Sequence, residues 1–466
     1  MKSRAPLKSH APLTAAMAAA LVLAGCSAPN SESEPAETSA AVEEDRSQDE
    51  AGSNSQGSGE HEADSDDTTA AQQYEDLLRT PDPDQDPLPV VSAEGARLPY
   101  HLEGRVLVEG PWDVLPQERN GTFLAPRERD GALDFTAVDA EGAVLWTAQR
   151  PASCAGFAVT GSEDGQDLAV LTDLTSSEES LSETTATAYD LHSGAQAWGP
   201  VPVDGPHVGP GLVFSAPGDA PMGAMGARLV LDGGSGEVVA QEVDDGVHVL
   251  GVGGSGEVVA QYDDAHILGE YEGIVLLVEG DDLVALDADE AREEWRLTEQ
   301  GWKGADLAPA AGARPGGSLA LLQTASGSQV AIDLSAGSVL AEGVTDMGTD
   351  PATGTHVLVE DDHARAYDPE GEELWAYLLT GPTTITSTGG VMVFLRSGET
   401  VRVHNVLTGE VAEAYDPDGE GEILVPAQIS AAGATVVVAE DGYRLVTVTP
   451  DGTGQEDGDG STGQDE

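Results

Sequence analysis

The sequence predicts an all-β chain that folds as a single β-propeller of about eight four-stranded blades, with seven as the alternative count. Three observations carry that prediction. Between about Val90 and Pro450, apolar and polar residues alternate with a period of two in short runs bounded by Gly, Asp and Pro, as in half-buried strands joined by tight turns. No stretch of that region sustains a 3.6-residue apolar period, so no long amphipathic helix is expected. A weak unit also recurs along it: two or three apolar residues, Asp, a turn, a Gly slot, then a strand with Trp.

The unit occurs as Ala137-Val138-Asp139 with Gly142 and Trp146, and as Ala188-Tyr189-Asp190 with Gly194 and Trp198. It returns as Ala285-Leu286-Asp287 with Ala291 and Trp295, and as Ala366-Tyr367-Asp368 with Gly371 and Trp375. In each of these the Trp stands four residues after the slot. Degenerate copies keep the turn and lose the Trp: Leu231-Asp232 with Gly236, Ile332-Asp333 with Gly337, and His404-Asn405 with Gly409. The slots lie about 44.5 residues apart on average, the length of one blade of four antiparallel strands. Turn chemistry explains the spacing: Asp hydrogen-bonds its own turn backbone, Gly supplies a positive φ, and the next strand lays Trp between blades. The Asp, Gly and Trp positions are therefore read as structural. Tyr443–Val448 is expected to pair with an N-terminal strand such as Arg105–Val108, closing the ring and removing its free edge. Gly233–Gln241 recurs identically at 253–261; twenty residues is half a blade, which reads as a duplicated hairpin unit.

The run Leu283-Val284-Ala285-Leu286-Asp287-Ala288 followed by Trp295 resembles the repeat of the quinoprotein-dehydrogenase-like (PQQ-like) β-propellers, with WD40-like propellers as the alternative. In the enzymes of that family, the resemblance implies PQQ on the propeller axis under a vicinal disulfide, with Ca²⁺ and a catalytic Asp. This chain has no Cys-Cys pair, so no cofactor is expected. Other members are non-enzymatic lipoproteins, including a docking scaffold of outer-membrane β-barrel assembly, and the chain resembles that group more.

The ends of the chain read as address and tether. Lys2, Arg4, Lys8 and His10 precede an uncharged run from Leu13 to Leu23, too short to span a bilayer and suited to a signal-peptide core. Leu23-Ala24-Gly25-Cys26 resembles the lipobox of bacterial lipoproteins, which implies a lipid thioether on Cys26 and removal of residues 1–25. Residues 26–88 read as a disordered acidic linker, since 18 acidic residues and four large aliphatics between Ser27 and Leu88 cannot bury enough apolar surface to fold. Residues 89–450 form the propeller, and 451–466 a disordered acidic tail. The expected location is the extracytoplasmic face of a cell membrane. Beyond the leader, Lys303 is the only lysine while Arg, Ala and Gly abound; with the lipobox this suggests an actinobacterial source.

Composition excludes several functions. The 466 residues carry 84 acidic and 20 basic side chains, a formal charge of −64, which repels nucleic acid. Two cysteines, Cys26 and Cys154, cannot staple a disulfide scaffold, and no apolar run is long enough for a multi-span membrane protein. The propeller region alone holds about −45, which reads as solubility or as attraction to a basic partner.

Candidate chemistry is sparse. Cys154 lies among small apolar residues and is expected to be a buried, inert thiol with no intramolecular disulfide. Asp82, Asp84 and Asp86 have the opening spacing of an EF-hand loop, but Pro87 replaces its Gly, so a linker is expected. Asp416, Asp418, Glu420 and Glu422 alternate around Pro417 and Gly419 and are the weak candidates for a divalent-ion site; a solvated acidic turn is the competing reading. The histidines show no metal-ligand spacing, and no catalytic elbow or phosphate loop occurs. The expected function is a non-enzymatic binding or scaffold module for a protein partner or envelope component. The alternatives are a PQQ- or sugar-dependent enzyme and a small-ligand sensory lipoprotein.

Overall fold

The computed structural model describes residues 77–450 apart from positions 163, 176–182, 218–224, 252, 254–255, 272, 289, 291, 299–306, 310–317 and 325. Among them there is no α-helix, only a 3₁₀ turn at Tyr100–Leu102. The strands form eight blades in chain order, each an antiparallel meander. The first runs from Gln117 to Pro151, the second from Phe157 to Pro202 and the third from Val213 to Asp263. The fourth covers Ala265–Leu297, the fifth Ala308–Glu342, the sixth Asp346–Leu378, the seventh Thr384–Ala412 and the eighth Val425–Pro450.

The core is a ring of seams, not one central mass. Continuous apolar runs in the middle strands, such as Ile274–Glu279 and Asp282–Asp287, give each sheet two apolar faces, and each face is buried against the adjacent blade. Leu124, Phe135 and Trp146 of the first blade meet Ala169, Leu171 and Tyr189 of the second. Leu276, Leu283 and Trp295 of the fourth meet Ala320, Ile332 and Leu334 of the fifth. Across the last seam Val436 and Leu445 of the eighth blade meet Phe123 and Val138 of the first.

Closure uses the expected strand. Arg105–Glu109 pairs antiparallel with Gly442–Pro450, placing Leu107 opposite Val446 and Val108 opposite Leu445. The N-terminal strand thus becomes the outermost strand of the last blade, and the ring is held by a hydrogen-bonded ladder with one irregularity between Arg105 and Leu107.

Two features differ from the sequence reading. The third blade is a five-stranded sheet. Its inner position is filled by an isolated bridge between His207 and Phe214, and an added hairpin, Gly246–Leu250 with Val258–Asp263, extends its outer side. The two identical sequence copies flank one strand: Ala240 and Ala260 both lie opposite Val249, and Gln241 and Gln261 both lie opposite His248.

The second difference concerns residues 77–88, assigned to the linker by composition. These residues run along the rim. Asp82 and Thr147 exchange backbone hydrogen bonds at 2.8 and 3.0 Å, and Gln149 N–H donates to Leu78 O. Further on, Val91 N–H donates to Leu107 O and Glu109 N–H to Pro89 O. This strap is ordered by backbone pairing to strands already present, so it needs few apolar side chains of its own. The leader, Cys26, the rest of the proposed linker and the tail at 451–466 lie outside the described residues.

Candidate functional site

The predicted Asp, Gly and Trp positions form one device repeated around the ring. Asp139 Oδ1 accepts the N–H groups of Glu141 and Ala143, and Asp368 Oδ1 accepts those of Glu370 and Glu372. Asp190 binds Ser193 through both its N–H and its hydroxyl. Burial pushes the Asp190 carboxyl up, but hydrogen bonds from Ser193 and Gln166 outweigh it and hold the group below the ordinary carboxylate range. Asp287 accepts from Glu290 N–H.

Each Trp then reaches into the turn of the following blade. Trp146 Nε1 donates to Leu191 O at 2.9 Å and Trp198 to Gly233 O at 2.8 Å. Trp295 donates to Leu334 O at 2.6 Å and Trp375 to Val406 O at 2.7 Å. The acceptor directly follows the turn's Asp or Asn, and the ring lies on that turn's Gly. At Gly236 (φ 73°) a Cβ would sit 2.5 Å from the Trp198 ring, and at Gly337 (φ 61°) 2.5 Å from that of Trp295. Trp146 is fully buried and adds about 4–6 kcal/mol of transfer free energy, while Trp198 is nearly so and Trp295 and Trp375 are partly buried; all four pack across a seam between blades. Gly142 and Gly371 face other partners: Thr447 and Val108 at the closing seam, and Leu340 at the fifth-to-sixth seam.

One cluster had no sequence signal. Arg150 is 1% exposed and lies 3.7 Å from Asp173. It donates to Tyr189 Oη at 3.0 Å and to Arg79 O at 2.8 Å. The Arg79 side chain, on the strap, also binds Asp173. Two guanidiniums converge on one carboxylate, so a charge that would be costly alone is paired, and the strap is pinned to the first two blades. Nothing in an alternating strand distinguishes an inward Arg from an outward one until its partner is placed.

The remaining titratable groups are dispersed. Among the described residues no group of three or more His, Cys, Asp or Glu side chains could hold a metal ion. The weak candidates Asp416, Asp418, Glu420 and Glu422 form no such group: Asp416 Oδ1 accepts Asp418 N–H, and Glu422 N–H binds Gly95 O. Asp82 Oδ1 likewise accepts Asp84 N–H within the strap. Burial lowers the imidazoles of His207, His356 and His404, and burial with the charge of Arg105 takes His101 to about 4. Cys154 corrects one expectation. It is fully buried, as predicted, but it is disulfide-bonded and not a free thiol.

Clefts among the described residues include two of modest size. The larger, about 340 Å³, lies at the closing seam among Trp112, Asp113, Arg127, Asp441, Tyr443 and Arg444. Its arginines are already paired, Arg127 with Asp113 at 3.4 Å and Arg444 with Asp441 at 3.0 Å. The smaller, about 150 Å³, includes Tyr377, Thr383 and Arg402. Neither holds a nucleophile beside a base.

Residues 182–350, from the third strand of the second blade to the first strand of the sixth, match the family model described as outer membrane protein assembly factor BamB. The matched segment is similar to that family over about a third of the chain, and the fold that contains it is an eight-bladed β-propeller. BamB from Moraxella catarrhalis is 15% identical, with 77% of this chain and 98% of that chain covered and a TM-score of 0.37. Quinohemoprotein alcohol dehydrogenase from Comamonas testosteroni is 13% identical, with 76% and 72% covered and a TM-score of 0.35. A computationally designed protein, Ika8, is 13% identical, with 72% and 100% covered and a TM-score of 0.37. At these scores the structures add nothing to the blade topology described above. No curated protein sequence matches significantly.

Proposed function

We propose that the chain is a lipid-anchored, extracytoplasmic propeller that works as a non-enzymatic binding scaffold for a protein partner of the cell envelope. The observation that carries this reading is the match of residues 182–350 to a family named for outer-membrane protein assembly, set on a closed ring. A ring whose eight seams are packed shut offers two loop-bearing faces and a rim for docking. The leader and lipobox supply the address. The strong negative charge favours a partner with basic regions, because complementary fields speed encounter and select partners.

Anchoring makes a sharp chemical demand. The single Sγ of Cys26 can carry a thioether or a disulfide, not both. Mass spectrometry of the amino-terminal peptide from membranes of the native host tests this. A diacylglyceryl Cys26 supports the anchor, and an unmodified Cys26 linked to Cys154 contradicts it. Adding PQQ with Ca²⁺ to the same preparation tests the non-enzymatic half: no alcohol oxidation and no thermal shift are expected, and turnover would overturn it.

A further inference from the structure

The outer strand of a propeller blade leaves unpaired backbone groups, and most outer strands here are protected. Val144–Pro151 and Arg105–Glu109 are covered by the strap. Gln196–Pro202 contains Pro200 and Pro202, which cannot donate to a ladder. Arg292–Leu297 carries four charged side chains in six residues. Val411–Ala412 is two residues long.

Val258–Asp263 has none of these protections. Among the described residues it pairs only with Gly246–Leu250, at the end of the five-stranded sheet. Val258 and Val259 are 45% and 53% exposed. Asp264 N–H donates to Asp245 O, so by antiparallel alternation Ala260 and Tyr262 turn their backbone groups to the neighbouring strand while Gln261 and Asp263 turn theirs outward. The corresponding strand Val238–Val243, which shares the opening Val-Val-Ala-Gln, is paired on both edges, by Met225–Leu231 and by Gly246–Leu250. The same residues thus support two ladders in one place and only one in the other.

We propose that the open edge of Val258–Asp263 accepts an extended, basic segment of a partner protein as a further strand of the third blade. This deepens the scaffold reading and rests on it. Main-chain hydrogen bonds to Gln261 and Asp263 would give affinity, and the exposed valines would choose β-branched or aliphatic side chains. The occupant's charge follows from what surrounds the edge: Asp244, Asp245, Asp263 and Asp264 gather at one end of the hairpin, in a chain of net charge −64. A second copy of the chain would bring the same charge and be repelled.

The test uses the purified full chain and a synthetic peptide with the sequence of residues 227–231, the segment that pairs with the first copy, flanked by lysines. Binding is expected to slow amide exchange at Gln261 and Asp263 and to weaken at least tenfold between 50 and 500 mM salt. Gln261→Pro, which removes an outward N–H and no ladder bond, should weaken binding at least tenfold. Asp263→Lys, which keeps every backbone group, should weaken it threefold or more. Unchanged affinity in both folded variants would overturn the proposal. So would equal binding of a scrambled peptide of the same charge, protection at Glu373–Leu378 instead, or dimerisation of the chain through this edge. If Gln261→Pro still captured the native partner in cells, the edge would be excluded while the scaffold reading stood.

Discussion

Val238–Val243 and Val258–Asp263 begin with the same Val-Val-Ala-Gln, yet one is a wall of the core and the other its outer skin. Val239 is 1% exposed and packs against Val275, Leu277 and Leu286 of the fourth blade. Val259, its twin, is 53% exposed. The flanking glycines divide in the same way. Gly236 lies under the Trp198 ring, whereas a Cβ at Gly256 would meet nothing within 4 Å. Four shared side chains therefore do not decide burial; what lies on each side of the strand does.

That contrast can be broken most forcefully by a charge. Val239→Asp would bury an unpaired carboxylate in the seam and should cost about 4 kcal/mol or more, read by urea denaturation. Val259→Asp should stay within about 0.5 kcal/mol, and equal losses would mean that the two copies share one environment. Next in size is the glycine pair. Gly236→Ala forces both a left-handed Ala and a clash with Trp198, about 3 kcal/mol together. Gly256→Ala (φ 55°) meets only the backbone cost, about 1 kcal/mol.

The smallest effect concerns polar groups buried with the core. His101, His207, His356 and His404 have folded-state pKa values below their unfolded ones. The unfolded chain therefore binds more protons below about pH 6.5, and stability falls as pH drops from there. For His101, at about 4 in the folded state, the loss reaches at most about 2 kcal/mol by pH 5. Melting temperatures measured from pH 7 to pH 5 should decline steadily, before carboxylate protonation relieves the negative self-repulsion. A flat profile would show that these imidazoles are solvated.

The parts legible in the sequence were those written in local chemistry. Asp139, Asp190, Asp287 and Asp368 cap turns through their own backbone neighbours, so their spacing announces the hairpins directly. Trp146, Trp198, Trp295 and Trp375 follow at fixed distance because strand geometry places them there. Closure by Arg105–Glu109 was readable as a strand without a partner at each end of the repeat.

What stayed hidden depends on partners distant in sequence. The strap pairs through Leu78, Asp82 and Val91 backbone atoms, which composition cannot register. Arg150 looks like any strand arginine until Asp173 and Arg79 stand beside it. The fifth strand of the third blade was visible only as a duplication, since identical residues carry an identical pattern whichever edge they occupy. Among the described residues the acidic side chains at 416–422 form no group that could hold an ion, although their spacing along the turn suggested one.

Whether this disk docks a protein at the cell envelope is tested most directly by cross-linking on intact cells of the native host. A photo-reactive residue at Val259 and another at Leu378 would be compared by mass spectrometry of the captured species. One reproducible envelope protein is expected, captured at Val259 through a basic extended segment and lost with Gln261→Pro. Absence of any captured protein at either position, together with PQQ-dependent turnover by the purified chain, would contradict it.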